Sequence, residues 1–198
     1  MSAEAPRASV RVAKLTDAGR FLEIYGPVVR ETAISFEEVV PSLEEMQARI
    51  RQTQTRFPWL ALVEERPEGE HVLGYACASA HRVRASYRWS VDVGIYLDPD
   101  ARGRGLGKAL YRVLLDVVRE QGYLNAFGGV GLPNPGSVAL HESLGFERIA
   151  TYRDVGFKHG RWHDVGWWQL RLAPLPSPPS EPRAFPEVLS KLDLPRLL

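Results

Sequence analysis

Hydrophobic and polar residues alternate most cleanly between Trp89 and Leu97. Val91, Val93, Ile95 and Leu97 interleave with Ser90, Asp92, Gly94 and Tyr96, the two-residue period of a β-strand. Shorter apolar runs predict strands at Ser9–Ala13, Trp59–Glu65, His71 to about Val83, Leu124–Val130, Phe146–Val155 and Trp162–Leu172. The turn Pro67-Glu68-Gly69-Glu70 joins the second and third of these as a hairpin. Helical spacing appears in three longer places. Thr16 and Asp17 cap a helix to about Arg30, with Leu22, Ile24, Tyr25 and Val28 as its apolar stripe. Ser42-Leu43-Glu44-Glu45 is a capping box for a helix to about Thr55. Leu106, Leu110, Val113, Leu114 and Val117 form the stripe of a helix from about Gly105 to Gln121, and Gly122 takes the C-terminal cap. Asn134 and Pro135, as cap and first residue, open a short helix that runs through Leu144 and ends at Gly145. The order βααβββαβαββ predicts an α/β (α+β) fold, a mixed central sheet flanked by helices.

Composition changes at Ala173. Seven of the fifteen prolines fall between Pro174 and Pro195, which predicts a domain at 1–172 and a proline-rich tail at 173–198. Phe185, Val188, Leu189, Leu192 and Leu194 give that tail an apolar set able to dock on the domain. Lys and Arg total 25 against 24 Asp and Glu, a net charge of +1, so no electrostatic footprint for nucleic acid stands out. Cys77 is the only cysteine. An intrachain disulfide and a cysteine-rich zinc site are therefore excluded, and Cys77 reads as a buried small hydrophobe. No apolar run has the length of a membrane span or a secretory signal, and a cytoplasmic protein without a membrane partner is expected.

The segment Arg102-Gly103-Arg104-Gly105-Leu106-Gly107-Lys108 joins the alternating strand to a helix. Glycines admit close approach of a ligand to the backbone, and a helix start offers free N–H groups to an anion. A plain glycine-rich connection is the simpler alternative. The spacing fits neither a Walker loop, since Ala109 stands where a magnesium ligand is needed, nor the Gly-x-Gly-x-x-Gly dinucleotide fingerprint. It is similar to the Arg/Gln-x-x-Gly-x-Gly/Ala acetyl-CoA loop of the GNAT superfamily. Further segments sharpen the likeness: Phe57-Pro58-Trp59-Leu60, Gly131-Leu132-Pro133-Asn134-Pro135, His141-Glu142-Ser143-Leu144-Gly145-Phe146 and the long run from Gly156 to Gly166. Over about Val10 to Leu172 the chain resembles the phosphinothricin N-acetyltransferases.

That resemblance implies a GNAT fold whose two central parallel strands splay to admit the pantetheine arm of acetyl-CoA. It implies that the backbone at Ile95, Tyr96 and Leu97 bonds the pantetheine, that Arg102, Gly103, Arg104, Gly105, Leu106, Gly107 and Lys108 hold the pyrophosphate, and that Asn134 lies near the coenzyme. It implies a homodimer acetylating the α-amino group of phosphinothricin or a glutamate or methionine analogue. The family carries a glutamate on the strand before the loop. Asp92 stands there, one methylene shorter, and a displacement of about 1 Å can cost on the order of 10²-fold in rate if contact must be direct. A water relay restores the reach; a carboxylate bonded to backbone or arginine is the alternative. His141 aligns with a family histidine near the thioester, where a proton shuttle is sensible; a helix histidine packed on an aromatic ring is the alternative. Arg82, Arg84 and Tyr87, with Phe36 as an apolar wall, match the substrate pocket, and the two arginines suit a carboxylate or phosphinate; a solvated basic loop is the alternative. His159 and His163 have metal-pair spacing but sit in a turn and strand, so no metal is expected; His71 and His81 carry no signal of their own. Two other functions remain open: a GNAT enzyme for a polyamine or a protein N-terminus, and a non-catalytic acyl-CoA-binding module.

Overall fold

A computed structural model describes residues 7–198. It contains strands β1 (Ala8–Val12), β2 (Trp59–Arg66), β3 (Gly69–Ala80), β4 (Ser90–Leu97), β5 (Asn125–Gly131), β6 (Glu147–Lys158), β7 (Arg161–Arg171) and β8 (Arg196–Leu197). Helices are α1 (Ala18–Glu31), α2 (Leu43–Gln54), α3 (Leu106–Glu120), α4 (Pro135–Ser143) and the short α5 (Phe185–Val188). One sheet runs in the order β6-β7-β5-β4-β3-β2-β1-β8. Every neighbouring pair is antiparallel except β4 and β5.

Helices cover both faces of the sheet, and the central strands show it. In β2 the whole run Trp59–Val63 is buried, with Leu60 and Leu62 on the α3 side and Trp59, Ala61 and Val63 on the α1 and α2 side. A strand buried on both faces reads as a continuous apolar run. On the first side Leu110, Val113, Leu114 and Val117 of α3 are buried, as their spacing predicts. Gly122 follows with φ 94°, and the next residue, Tyr123, donates its N–H to Val118 O.

On the second side the stripe of α1 differs from the expected one. Ala18, Phe21, Ile24, Tyr25 and Val29 are buried, and Leu22 and Val28 only partly so. Phe21 takes the centre because its ring meets Tyr75 at 4.6 Å and Trp59 at 6.3 Å. Asp17 also departs from expectation. Its carboxylate makes no bond to the start of α1; it accepts from Lys14 N at 2.7 Å and pairs with Arg11 Nη1 at 2.7 Å. The capping box at Ser42 and Glu45 is formed in both directions. Cys77 is half-buried against the second cluster, and desolvation pushes its thiol up to about 12, so it is no nucleophile at neutral pH.

The segment after β7 folds back on the sheet. Phe185 and Val188 are buried in the first core cluster, and Leu192 and Leu194 pack against it. Gln121, fully buried, donates from Nε2 to Arg56 O at 2.8 Å and Arg183 O at 2.9 Å. Phe185 N donates to the same Arg56 carbonyl at 3.0 Å. β8 then pairs with β1 at Ser9 and Val10. Truncating a buried phenylalanine leaves a cavity. Phe185→Ala is therefore expected to lower unfolding free energy by about 3 kcal/mol in urea titration, and a loss within error of zero would show the docked segment to be dispensable.

Candidate active site

β4 and β5 pair only at Ser90–Asn125, Val91–Ala126 and Asp92–Phe127. From Val93 to Leu97 the β5-facing side of β4 has no strand partner, while its other side stays fully paired with β3. The gap opens into a cavity of about 560 Å³. Val93–Leu97 form one wall, Gly129–Gly131 and the face of α4 the other, and Arg102, Gly103, Gly105, Gly107 and Lys108 close one end. The peptide groups of this wall face the cavity, where water or an amide-bearing ligand can bond them.

The loop at the end of the cavity is a cradle for an anion. Gly103 and Gly105 have φ 71° and 79°, and a Cβ on either would stand in open space. Among the described residues no backbone carbonyl takes the N–H groups of Gly103, Arg104 or Gly105, and the first turn of α3 leaves its amides free. Lys108 and Arg102 line the opening, with Arg102 Nη2 bonded to Leu97 O at 3.2 Å. Two loop residues turn away from it. Arg104 pairs with the buried Glu64 of β2, and Leu106 packs on the core. Asn134 lines the cavity from the start of α4, its Oδ1 accepting from Ser137 N at 3.1 Å.

Asp92 is the last residue of β4 paired to β5, at the point where the strands part. Its carboxylate Oδ1 lies 2.6 Å from His81 Nδ1. The His81 ring stacks on Phe127 of β5, centroids 4.1 Å apart and 14° off parallel, with Tyr87 and Trp167 edge-on at 6.0 and 5.9 Å. Burial raises the Asp92 carboxyl above its ordinary range, against the opposing pull of His81 and Arg82.

His141 lies on the opposite face of the sheet. It is buried on α4 behind Gly128, where a Cβ would come within 2.3 Å of its Nε2. Nδ1 is 2.8 Å from Ser137 O and Nε2 is 3.0 Å from the Tyr111 hydroxyl. The tautomer that fits carries its proton on Nδ1 and accepts from tyrosine. Burial lowers its basicity. Both ring nitrogens are thus engaged.

The sequence profile of the acetyltransferase (GNAT) family matches residues 27–146. A phosphinothricin N-acetyltransferase from Streptomyces viridochromogenes is 34% identical over 188 residues, covering 95% of this chain and 100% of that protein. The chain belongs to the GNAT acetyltransferase family. It is an acetyl-CoA-dependent N-acetyltransferase. The L-methionine sulfoximine/L-methionine sulfone acetyltransferase of Pseudomonas aeruginosa is 36% identical over 172 residues, covering 87% of this chain and 99% of that one. Among solved structures, a phosphinothricin acetyltransferase from Sinorhizobium meliloti in complex with acetyl-CoA has a TM-score of 0.79 at 36% identity, covering 88% of this chain and 92% of that one. The splayed parallel pair expected of the fold is the β4–β5 gap. The unpaired wall and glycine cradle fit a pantetheine arm and its pyrophosphate.

The residues expected at the substrate site lie on the turn between β3 and β4 and on the loop after α1. Arg82 lies 5.4 Å over the Trp167 ring and bonds His81 O at 2.8 Å. Arg84 and Tyr87 are exposed on the turn between β3 and β4. Phe36 is 39% exposed and seated on Gly156, at whose position a Cβ would meet its ring at 2.1 Å. Its loop is tied down by the buried Lys158, whose Nζ donates to Val29 O, Ser35 O and Glu37 O at 2.6–2.7 Å. His163 Nε2 lies 3.0 Å from Lys158 O, and Asp164 accepts from Asp154 N at 2.9 Å, so both fix the β6–β7 hairpin. Among the described residues no cluster of three metal-ligating side chains occurs. Sequence reasoning missed His81 and Lys158. Pairing of Ser79 with Asp92 across β3 and β4 makes His81 a diagonal neighbour of that carboxylate, a relation visible only once the register is known.

Two outcomes follow for variants. Gly105→Val forces a β-branched residue into φ 79° and crowds the cradle. It is expected to weaken acetyl-CoA at least tenfold in calorimetry; unchanged affinity would take the loop out of the site. Asp92 has its folded pKa raised, so its stabilising contribution is full below the unfolded carboxylate pKa and is lost as pH rises through the folded one. Asp92→Asn is therefore expected to melt no lower than wild type at pH 7, with its relative advantage shrinking toward pH 3; clear destabilisation at pH 7 would make the carboxylate a structural anchor.

Proposed function

We propose that this enzyme moves the acetyl group of acetyl-CoA to the α-amino group of a small amino acid or analogue of the phosphinothricin, methionine sulfone or methionine sulfoximine kind. The observation that carries the reading is the charge arrangement beside the splay. The Asp92–His81 pair adjoins Arg82, which spans Trp167, with Arg84 farther along the same turn. A zwitterion suits such a place, its amine toward the carboxylate and imidazole and its acid group toward a guanidinium. A polyamine has no anionic end for either arginine. The names borne by the relatives support the same class.

On this reading the open backbone at Ile95, Tyr96 and Leu97 bonds the pantetheine, the loop from Arg102 to Lys108 takes the pyrophosphate, and Asn134 fixes the start of α4 beside them. Arg104 and Leu106 hold the loop in shape through Glu64 and the core. Arg82, Arg84 and Tyr87 bind the acceptor, and Phe36 is its apolar wall. Asp92 supplies the negative charge that favours loss of a proton from the amine. His141 lines the cleft and assists proton movement near the thioester, its Nε2 joined to the Tyr111 hydroxyl and its Nδ1 held by the Ser137 carbonyl. Of the domain expected at 1–172, the described residues 7–172 form the catalytic body, and 173–198 are a tail that braces it. β6 is a sheet edge carrying exposed Ile149, Tyr152, Val155 and Phe157, with Trp162 beside it; a second copy of the chain covering that apolar edge gives a homodimer. The unpaired Cys77 suits the reducing cytoplasm.

Release of coenzyme thiol, measured over a panel of amino acids and amines, tests the substrate class. Turnover is expected with methionine sulfone, methionine sulfoximine or phosphinothricin and not with spermidine. Turnover of polyamines or peptide N-termini alone would replace the reading.

A further inference from the structure

We propose that His81 is the catalytic proton acceptor of this enzyme and that Asp92 is its positioning partner, the two forming a carboxylate–imidazole dyad at the splay. The assignment rests on the acetyl-transfer reading above and deepens it. The Nδ1–Asp92 Oδ1 contact of 2.6 Å is satisfied by a proton on Nδ1, which leaves the lone pair on Nε2. That nitrogen has no hydrogen-bond partner among the described residues, and it is not among the fully buried polar atoms left without one. A carboxylate that fixes the tautomer and orientation of a histidine makes the far nitrogen the base. The ring has little freedom to leave this pose, with Phe127 stacked on one side and Tyr87 and Trp167 against it.

The groups facing the ring are few. From β4 comes Asp92; from the β3–β4 turn come Tyr87 and Arg82, the latter held on Trp167; β5 and β7 present the uncharged Phe127 and Trp167. The arrangement also accounts for the short side chain at position 92. An aspartate reaches less far than a glutamate, and the imidazole carries the accepting atom outward from the strand. Asp92 and His141 point from opposite faces of the sheet, because Asp92 is paired with Phe127 and His141 lies behind Gly128, the next residue along β5. His81 shares the Asp92 face.

His81 Nε2 takes one proton from the ammonium of the acceptor and passes it to solvent. The freed lone pair forms the N–C bond to the thioester carbonyl carbon. The C–S bond breaks, and the second N–H proton ends on the coenzyme thiol. One proton is released to solvent per turnover.

His81→Asn separates this from a structural role, because an amide NH₂ can keep a bond to Asp92 yet cannot accept the proton. With an acceptor that the wild type turns over, kcat is expected to fall at least 100-fold, while the KM for acetyl-CoA stays within threefold. The wild-type kcat/KM is expected to rise with pH along a limb that stays in place when acceptors of different amine pKa are compared, and the variant is expected to lose it. Adding Asp92→Asn to His81→Asn should cost less than a further threefold, since the two act as a unit. Turnover of His81→Asn within threefold of wild type with the limb intact, or an Asp92→Asn variant that keeps full activity, would overturn the dyad. A wild type that acetylates none of the panel overturns the acceptor reading instead. The dyad is then judged by 15N NMR of the His81 ring, where a proton on Nδ1 that is lost in Asp92→Asn supports it and a proton on Nε2 refutes it.

Discussion

The structure turns on the parting of two strands. β4 keeps its partner on one side and loses it on the other after Asp92. The unpaired peptide groups from Val93 to Leu97 face the cavity, and a ligand that is itself a chain of amides can pair with them as a strand would. Gly103 and Gly105 shape the loop beyond that wall, and the start of α3 follows it directly. A coenzyme with amides along its arm and phosphates at its end therefore finds both chemistries in order along one stretch of chain.

Alternation divides the labour between the faces of the sheet. On the α3 and α4 face, Gly128 makes room for His141, and the ring is locked by Tyr111 and the Ser137 carbonyl. On the α1 and α2 face, Asp92, His81, Phe127 and Trp167 meet at the mouth of the splay. His141 has both ring nitrogens bonded, whereas His81 has one nitrogen beside a carboxylate and the other without a partner among the described residues. Two histidines in one chain thus take different parts because of the groups they face, not because of their residue type.

Much of this was legible in the sequence because its signals are local. The β4 alternation, the Ser42–Glu45 box, the α3 stripe and the glycine loop each lie within a dozen residues and were found where expected. What failed was non-local. Phe21 displaced the expected stripe of α1 because its partners, Tyr75 and Trp59, come from other strands. Asp17 looked like a cap but answers to Arg11. Lys158 carries no signal of its own until the hairpin folds it under the carbonyls of Val29, Ser35 and Glu37. His81 had no motif at all, because its meaning lies in the register of β3 against β4.

A strand left half-unpaired must be held firmly where it begins, and the base of β4 is. Trp89 O accepts from Leu124 N at 2.9 Å and Asn125 N at 3.2 Å, starting the short parallel ladder. Trp89 Nε1 donates to Ser180 O at 2.7 Å, and Arg88 lies over the Trp89 ring while paired with Glu181. Both anchors come from the segment after β7, itself seated by Phe185 and Gln121. Pairs this exposed add little stability singly; the burial of Phe185 and Val188 holds the segment, and the polar contacts fix its register. The proline-rich end is thus braced against the strand that the splay leaves weakest, and it touches the turn bearing Arg82 and Arg84 at its last two residues, Arg88 and Trp89. Changes in that segment should therefore reach the acceptor side of the site before they reach the coenzyme loop, which lies at the other end of β4.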